Sequence, residues 1–142
     1  MHFLTATTTI ISLLSLAVSA LPTTVDSRAA STAIDPSLVP IFSIKTGSGV
    51  GANGVAIPKT CPPSRSAFIA KLSANVAAGN VLGTPITFNT NPEVQDTKTN
   101  ESRATAMIIT LQSFTGVKGV GCPGASTPEL LSQQKTGVVS PS

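Results

Sequence analysis

The chain has 142 residues, with nine Lys and Arg against six Asp and Glu, one His, two Cys, and neither Trp nor Tyr. This composition offers few side chains for acid–base or nucleophilic catalysis, and the single histidine, His2, lies at the amino terminus. The formal net charge is +3, and the basic residues are isolated from one another in the sequence. Binding to a phosphate backbone would require a cluster of them. We therefore do not expect nucleic acid as a partner.

The amino-terminal segment is typical of a secretory signal peptide. A short apolar run over residues 10–18 is followed by the small residues Ser19 and Ala20, where a signal peptidase would cleave. The run is well short of the roughly 20 apolar residues that span a bilayer. We expect residues 1–20 to be removed, residues 21–34 to be a flexible arm, and the mature protein to be secreted, extracellular and without a stable membrane anchor.

The first structured residues are expected at Asp35-Pro36, where Asp35 is typical of an N-cap and Pro36 of the first helical position. Pro40 limits this element to about one turn. Residues 42–44 are expected to form a short extended piece. The glycines of residues 47–54 predict a loop.

The first long helix is predicted over Ser64–Ala78. Pro62 and Pro63 fix an extended approach, Ser64 supplies a cap and Gly79 a stop. Apolar side chains recur at helical spacing at Phe68, Ile69, Leu72 and Val76. Residues 79–91 then predict an irregular crossover with a short extended segment.

The second helix is predicted to begin after Asn91-Pro92, to be well formed by Glu101 and to end at Gly116. Its apolar stripe consists of Ala104, Met107, Ile108, Leu111 and Phe114. The β-branched residues within 105–110 make a strand the alternative for residues 104–114.

The third helix is predicted over Thr127–Lys135, where Ser126 and Glu129 match a capping box and Pro128 lies in the first turn. The predicted fold class is therefore mostly α: one small domain, residues 35–136, with two longer helices, one short helix and long Gly/Pro-rich loops. Residues 137–142 are expected to be a disordered tail.

Cys61 and Cys122 are the chain's two cysteines. In an oxidising extracellular compartment an even cysteine count favours a disulfide, with a free reactive thiol or intermolecular pairing as the alternative. A bond between them would close a loop of about 60 residues and tie the start of the first helix to the loop after the second.

Five stretches between Asp35 and Gln134 share a pattern with other proteins. They are Val39-Pro40-Ile41-Phe42, Cys61-Pro62-Pro63-Ser64-Arg65, Ser73-Ala74-Asn75-Val76-Ala77-Ala78-Gly79, Thr110-Leu111-Gln112, and Gly119-Val120-Gly121-Cys122-Pro123 with Ala125-Ser126-Thr127. Together they resemble a group of small secreted fungal proteins that are effector-like and have no assigned activity. Several members carry two further cysteines, at the positions of Gly49 and Lys59. Their joint absence fits a bond between Cys61 and Cys122.

Known catalytic patterns fit the sequence poorly. Residues 49–54 and 119–124 match the spacing of a dinucleotide-binding fingerprint, but neither lies between a strand and a helix. Glu93, Asp96 and Glu101 would suit a hydrolase, yet a solvated loop and helix start explains them better where no Trp or Tyr can wall a sugar site. We expect no catalytic, cofactor-binding or metal site, and no enzyme activity.

Asn100-Glu101-Ser102 is a glycosylation sequon. Secretion favours its modification and a position at a helix start disfavours it, so both alternatives stay open.

Two functions are compatible with these features. The first is a secreted, non-enzymatic interaction or effector-like protein with an unknown protein or cell-surface partner. The alternative is a carrier of a small apolar ligand, a lipid or sterol, held between helices. Its ligand face would comprise Phe68, Leu72, Met107, Ile108, Leu111 and Phe114. The same residues equally suit a plain hydrophobic core.

Overall fold

The computed structural model describes residues 33–141, so the expected signal peptide and almost all of the expected arm lie outside the described residues. In chain order the regular elements are helix α1 (Arg65–Ala78), strands β1 (Asn80–Val81) and β2 (Thr84–Pro85), helix α2 (Thr97–Gln112) and helix α3 (Pro128–Thr136). Single 3₁₀ turns occur at Pro36–Leu38, Ala52–Gly54 and Gly124–Ser126. The prediction of a small, mostly α-helical domain with two longer helices and one short helix is confirmed. Within residues 33–141 no helix has the length and apolar character needed to cross a membrane.

Helix α1 lies where the sequence predicts it. The Ser64 hydroxyl accepts a hydrogen bond from the Ala67 N–H at 3.3 Å, which pairs one of the donors left free at a helix start. At the other end Gly79 adopts the left-handed conformation with φ 76°, and its N–H donates to carbonyls of the last helical turn. A residue without a Cβ atom adopts this conformation at little cost.

A hairpin of two short antiparallel strands follows α1 directly and contains the short extended segment predicted in this region. Leu82 and Gly83 form its turn, and both have positive φ values, 48° and 88°. This is the geometry of a two-residue hairpin turn, which strongly favours Asn and Gly. Leucine is uncommon in this conformation, and its side chain is 48% exposed.

Helix α2 starts several residues later than predicted because Asp96 is its N-cap. The Asp96 carboxylate accepts hydrogen bonds from the N–H and the hydroxyl of Thr99, at 2.9 and 2.7 Å. The residues after Pro92 form a turn instead, in which the Asn91 side chain accepts from the Glu93 N–H. A side chain that pairs with the backbone two residues ahead favours a turn over a helix.

Helix α2 also ends earlier than predicted, at Gln112 and not at Gly116. The Leu111 carbonyl accepts a hydrogen bond from the Cys122 N–H at 3.0 Å, so the returning chain pairs with a carbonyl that the next helical turn would otherwise use. Residues 104–112 are nevertheless helical, which excludes the alternative of a strand there.

Helix α3 is shifted by one residue from its prediction, and the predicted capping box is wrong. Thr127 is the N-cap and makes no side-chain cap hydrogen bond. The Ser126 hydroxyl donates to the Pro123 carbonyl at 2.7 Å, and Glu129 Oε1 accepts from the Ser43 N–H at 3.0 Å. Ser126 is thus used in a local turn and Glu129 in a tertiary contact with Ser43, so neither caps α3.

One hydrophobic core joins the loops to the helices. Its buried members are Ile34, Leu38, Val39, Ile57, Cys61, Phe68, Leu72, Met107, Ile108, Leu111, Cys122 and Leu130. The Phe42 ring packs edge-on against Phe68, with the ring centroids 5.4 Å apart, and residues 43–44 bend around it instead of forming the expected extended piece.

The packed domain extends slightly beyond its expected boundaries. Ile34 is only 2% exposed, and its N–H donates to the Ser73 hydroxyl at 2.9 Å. Gly137, the first residue of the expected tail, is buried, and a Cβ atom there would collide with Thr97.

Cys61 and Cys122 form the predicted disulfide, with their Cα atoms 5.5 Å apart. The bond ties the segment before α1 to the loop after α2. Asn75, near the other end of α1, donates to the Thr110 hydroxyl at 3.1 Å. Helix α1 therefore lies across the carboxyl-terminal part of α2.

Replacing both cysteines with serine is expected to lower the free energy of unfolding by about 4 kcal/mol. The bond closes a loop across 61 residues, and without it the unfolded chain gains the corresponding conformational entropy. Urea denaturation followed by circular dichroism would measure the loss. A reducing agent should shift the midpoint of the natural protein and leave that of the double variant unchanged. Equal midpoints for the natural protein and the double variant, both measured without a reducing agent, would contradict the prediction.

The variant Asp96→Asn is expected to weaken the acid dependence of stability. Hydrogen bonds from the Thr99 hydroxyl and then the Thr99 N–H lower the pKa of Asp96. A carboxylate with a depressed pKa stabilises the fold above its unfolded-state value of about 3.9, and this contribution disappears as the pH falls through the lower folded-state value. The urea midpoint should therefore drop less for the variant than for the natural protein between about pH 5 and pH 2. An identical drop would show that Asp96 contributes nothing to it.

Candidate functional site

An open groove of about 430 Å³ lies on the surface of the described part of the chain. It lies between the segment 85–87, which leaves the hairpin, and the outer face of α2. Its lining consists of Pro85, Ile86, Thr87, Lys98, Glu101, Ser102, Thr105, Ala106, Ile109 and Gln134. We refer to it as the α2 groove.

The α2 groove combines an apolar floor with hydrogen-bonding groups. Ala106 is buried, and Ile86 and Ile109 are half-buried, so together they present partly covered hydrocarbon. Thr105 donates to the Glu101 carbonyl at 3.0 Å and accepts from Gln134 Nε2 at 3.0 Å. The second bond connects α2 to α3 across one side of the groove.

Charged side chains of both signs flank the α2 groove. Lys98 is exposed and Glu101 is half-buried, and they are three residues apart on α2, a spacing that places them on the same side of a helix. A groove with a partly apolar floor, polar contacts and one charge of each sign suits recognition of an amphipathic partner.

The hairpin wall of the groove is held at its start. The Ile86 N–H donates to the Gly79 carbonyl at 3.1 Å, which fastens this wall to the end of α1. Residues 86–90 continue without regular secondary structure.

Beneath this wall lies a fully buried arginine. Arg103 is 0% exposed, and its guanidinium donates to the carbonyl oxygens of Asn89, Asn91 and Val94 at 2.8, 2.7 and 2.6 Å. A further N–H donates to Asn100 Oδ1 at 2.8 Å. Burial lowers the pKa of Arg103, and the more distant charge of Asp96 opposes this shift. The guanidinium nevertheless stays charged, as arginine does throughout the pH range in which proteins fold.

Arg103 determines the path of the chain before α2. Residues 89–94 contain no helix or strand, and three of their carbonyls accept hydrogen bonds from this one side chain. The Asn91 carbonyl also accepts from the Val94 N–H at 3.2 Å. Hydrogen bonds to a charged group contribute more than neutral ones, about 1.5–3 kcal/mol each. The fixed fork of the guanidinium also orients three carbonyls of this one segment at once.

The sequon asparagine belongs to the same buried cluster. Asn100 is 3% exposed. Its Nδ2 donates to the Gly137 carbonyl at 3.1 Å and to both oxygens of Gln95 at 3.2–3.3 Å. The Asn100 carbonyl accepts from Gln133 Nε2 at 3.0 Å. Asn100, Arg103, Gln133 and Gly137 thus form a polar junction, called here the α2–α3 junction, that joins both helices and the loop before α2.

The six residues proposed as an apolar ligand face lie in the protein core. Phe68, Leu72, Met107 and Leu111 are 0% exposed and Ile108 is 6% exposed, while Phe114 is half-buried and packs against the same cluster. They are in contact with other side chains of the core and do not line the α2 groove. A carrier would have to open this core to admit its ligand.

The acidic residues weighed for hydrolysis have separate environments. Glu93 is exposed on the turn before α2, Asp96 caps α2, and Glu101 flanks the groove. Within residues 33–141 no group of three or more His, Cys, Asp or Glu side chains is placed to hold a metal ion.

The two glycine-rich stretches have packing roles. A Cβ atom on Gly51 would lie 2.5 Å from the Ala125 carbonyl oxygen, and one on Gly121 would collide with the Leu111 carbonyl. These glycines let the disulfide-linked loops approach neighbouring backbone closely. Neither stretch joins a strand to a helix as the dinucleotide fingerprint requires.

Sequence reasoning missed both Arg103 and the α2 groove. Arg103 is one of the isolated basic residues of the sequence, and an arginine is rarely buried without a carboxylate partner. The available signal was its position, four residues before the apolar Met107 and one before Ala104, on the inward side of the predicted stripe.

Comparison with known proteins gives no match for this chain among protein-family models, curated proteins or solved structures.

The variant Arg103→Met is expected to lower the free energy of unfolding by about 3 kcal/mol or more, because it removes a charged donor from the carbonyls of Asn89, Asn91 and Val94 and from the buried Asn100 Oδ1. Lys98→Met is the matched control, since Lys98 lies on the same helix and is exposed; it should change stability by no more than about 0.5 kcal/mol. Urea denaturation would measure both. Equal effects would show that the guanidinium is not what holds residues 89–94.

Proposed function

We propose that this is a secreted, non-enzymatic interaction protein that binds a protein or cell-surface partner through the α2 groove. The observation that carries the proposal is the groove itself, which is lined by apolar, polar and charged side chains. The helix that supplies most of them, α2, is held on its inner side by the hydrogen bonds of the polar junction. Pre-organised binding surfaces lose less conformational entropy when they bind.

Extracellular localisation is part of the proposal. The disulfide between Cys61 and Cys122 suits an oxidising compartment, and the amino-terminal apolar run suits export. The sequence resemblance to small secreted fungal proteins adds an effector-like role, in which the partner would belong to a host or to a cell wall.

The hairpin turn gives this proposal a second support. Leu82 is 48% exposed and adopts a left-handed conformation that costs an ordinary side chain about 1–2 kcal/mol. An exposed apolar residue in an unfavourable conformation is typical of a functional surface. The turn is also close in sequence to Pro85, where the groove wall begins.

Photo-crosslinking would test the proposal. A photoreactive amino acid at Thr105, which is exposed in the groove, should give a saturable crosslink to a partner in extracts of the surfaces that the secreted protein meets. The same amino acid at Ala74, exposed on α1 outside the groove, should not. Unlabelled natural protein should compete for the crosslink at Thr105.

Competition by matched variants assigns the binding to the groove. Thr105→Arg fills the groove with a bulky charge and should compete at least about tenfold more weakly than natural protein, a difference of about 1.4 kcal/mol in binding free energy. Ala74→Arg adds the same charge elsewhere and should compete normally. Equal competition by both variants, or equal crosslinking from both positions, would contradict the proposed site.

A further inference from the structure

We infer that folding and N-glycosylation of the sequon Asn100-Glu101-Ser102 exclude one another, so that Asn100 is a modification site in the unfolded chain alone. The inference does not depend on the proposed binding function. It rests on the environment of a single carboxamide in the α2–α3 junction.

The Asn100 carboxamide uses both of its ends inside the protein. Nδ2 has two hydrogens, and it contacts the Gly137 carbonyl at 3.1 Å and two oxygens of Gln95. Oδ1 accepts a hydrogen bond from the Arg103 guanidinium at 2.8 Å. The residue is 3% exposed, so a sugar on Nδ2 would have to displace the groups that cover it.

Glycosylation would change the atom that closes this junction. The transferase joins Nδ2 to C1 of the first sugar while the C1–O bond breaks and its electron pair leaves with the lipid pyrophosphate; one Nδ2 proton is lost to a base of the transferase. The nitrogen would then carry one hydrogen and a sugar ring in a space filled by Gly137 and Gln95. Moving the carboxamide outward would leave the buried Arg103 without one of its acceptors.

The other two sequon residues face differently from Asn100. Glu101 and Ser102 both line the α2 groove and both are half-buried. The helix therefore presents Ser102, the hydroxyl residue that the sequon requires, along the groove while it turns the acceptor nitrogen of Asn100 inward. A sequence scan alone cannot distinguish this arrangement from an accessible sequon.

The chain offers a matched control at an exposed asparagine. Asn53 lies on an exposed loop, and Val55→Thr completes the sequon Asn53-Gly54-Thr there. Val55 is itself 48% exposed, so the substitution leaves the core intact. A second variant, Ser102→Ala, removes the natural sequon and keeps the Asn100 carboxamide.

The experiment uses a purified oligosaccharyltransferase with a lipid-linked oligosaccharide and locates each glycan by mass spectrometry. Four full-length substrates are compared: the folded natural protein, the same chain reduced and carboxymethylated, folded Val55→Thr, and carboxymethylated Ser102→Ala. Circular dichroism confirms that the carboxymethylated chains have lost their helices.

We expect the carboxymethylated natural chain to be modified at Asn100 at least about tenfold faster than the folded protein. Folded Val55→Thr should be modified at Asn53 alone, and carboxymethylated Ser102→Ala should stay unmodified. Comparable rates at Asn100 in folded and unfolded protein would overturn the inference. Failure of the unfolded chain to react would also overturn it, since the exclusion would then come from the local sequence and not from the fold.

Discussion

The buried guanidinium of Arg103 is the interaction on which the arrangement of α2 depends. It neutralises no carboxylate at close range; instead it donates to three backbone carbonyls and to one carboxamide oxygen. A charge removed from water needs compensation by dipoles or an opposite charge. Here the carbonyl dipoles of the irregular segment 89–94 supply this compensation. In turn, the guanidinium gives the segment hydrogen bonds that it does not obtain from a helix or strand. The loop and the arginine are therefore stable only together.

The junction around Arg103 also joins the segment before α2 to the carboxyl-terminal end of the domain. Asn100 accepts a hydrogen bond from Arg103 and donates one to the Gly137 carbonyl. Gln133 of α3 donates to the Asn100 carbonyl in the backbone of α2. At the opposite end of α2, the disulfide and the Cys122 N–H hold the loop that leads to α3. Helix α2 is thus held at one end by the polar junction and at the other by the hydrogen bond from the disulfide-linked Cys122 to the Leu111 carbonyl. A small domain with a modest core gains stability from such cross-connections.

Fixing α2 from its inner side leaves its outer side available. The residues that hold the helix, Asn100 and Arg103, are buried, whereas their sequence neighbours Glu101, Ser102 and Thr105 line the groove. One helix therefore serves the junction and the surface with alternating residues, as the helical period of 3.6 allows. The proposed binding function follows from this division, since a rigid inner side makes the outer side a pre-organised surface.

The sequence by itself determined the elements whose signals are local. Ser64 and Gly79 predicted both ends of α1, the apolar spacing from Ala104 to Leu111 predicted α2, and two cysteines predicted the bond between them. Caps, periodicity and cysteine count act over a few residues or through simple chemistry, so they can be read without coordinates. The tertiary structure decided what depends on distant partners. It placed Arg103 and Asn100 inside and used Glu129, predicted to be a capping residue, in a bond to Ser43. It also ended α2 at Gln112, where the returning Cys122 pairs with the Leu111 carbonyl, and formed the groove from segments far apart in the chain. A buried charge or carboxamide is tolerated only where the fold brings acceptors and donors to it, and those carbonyls carry no mark in the sequence.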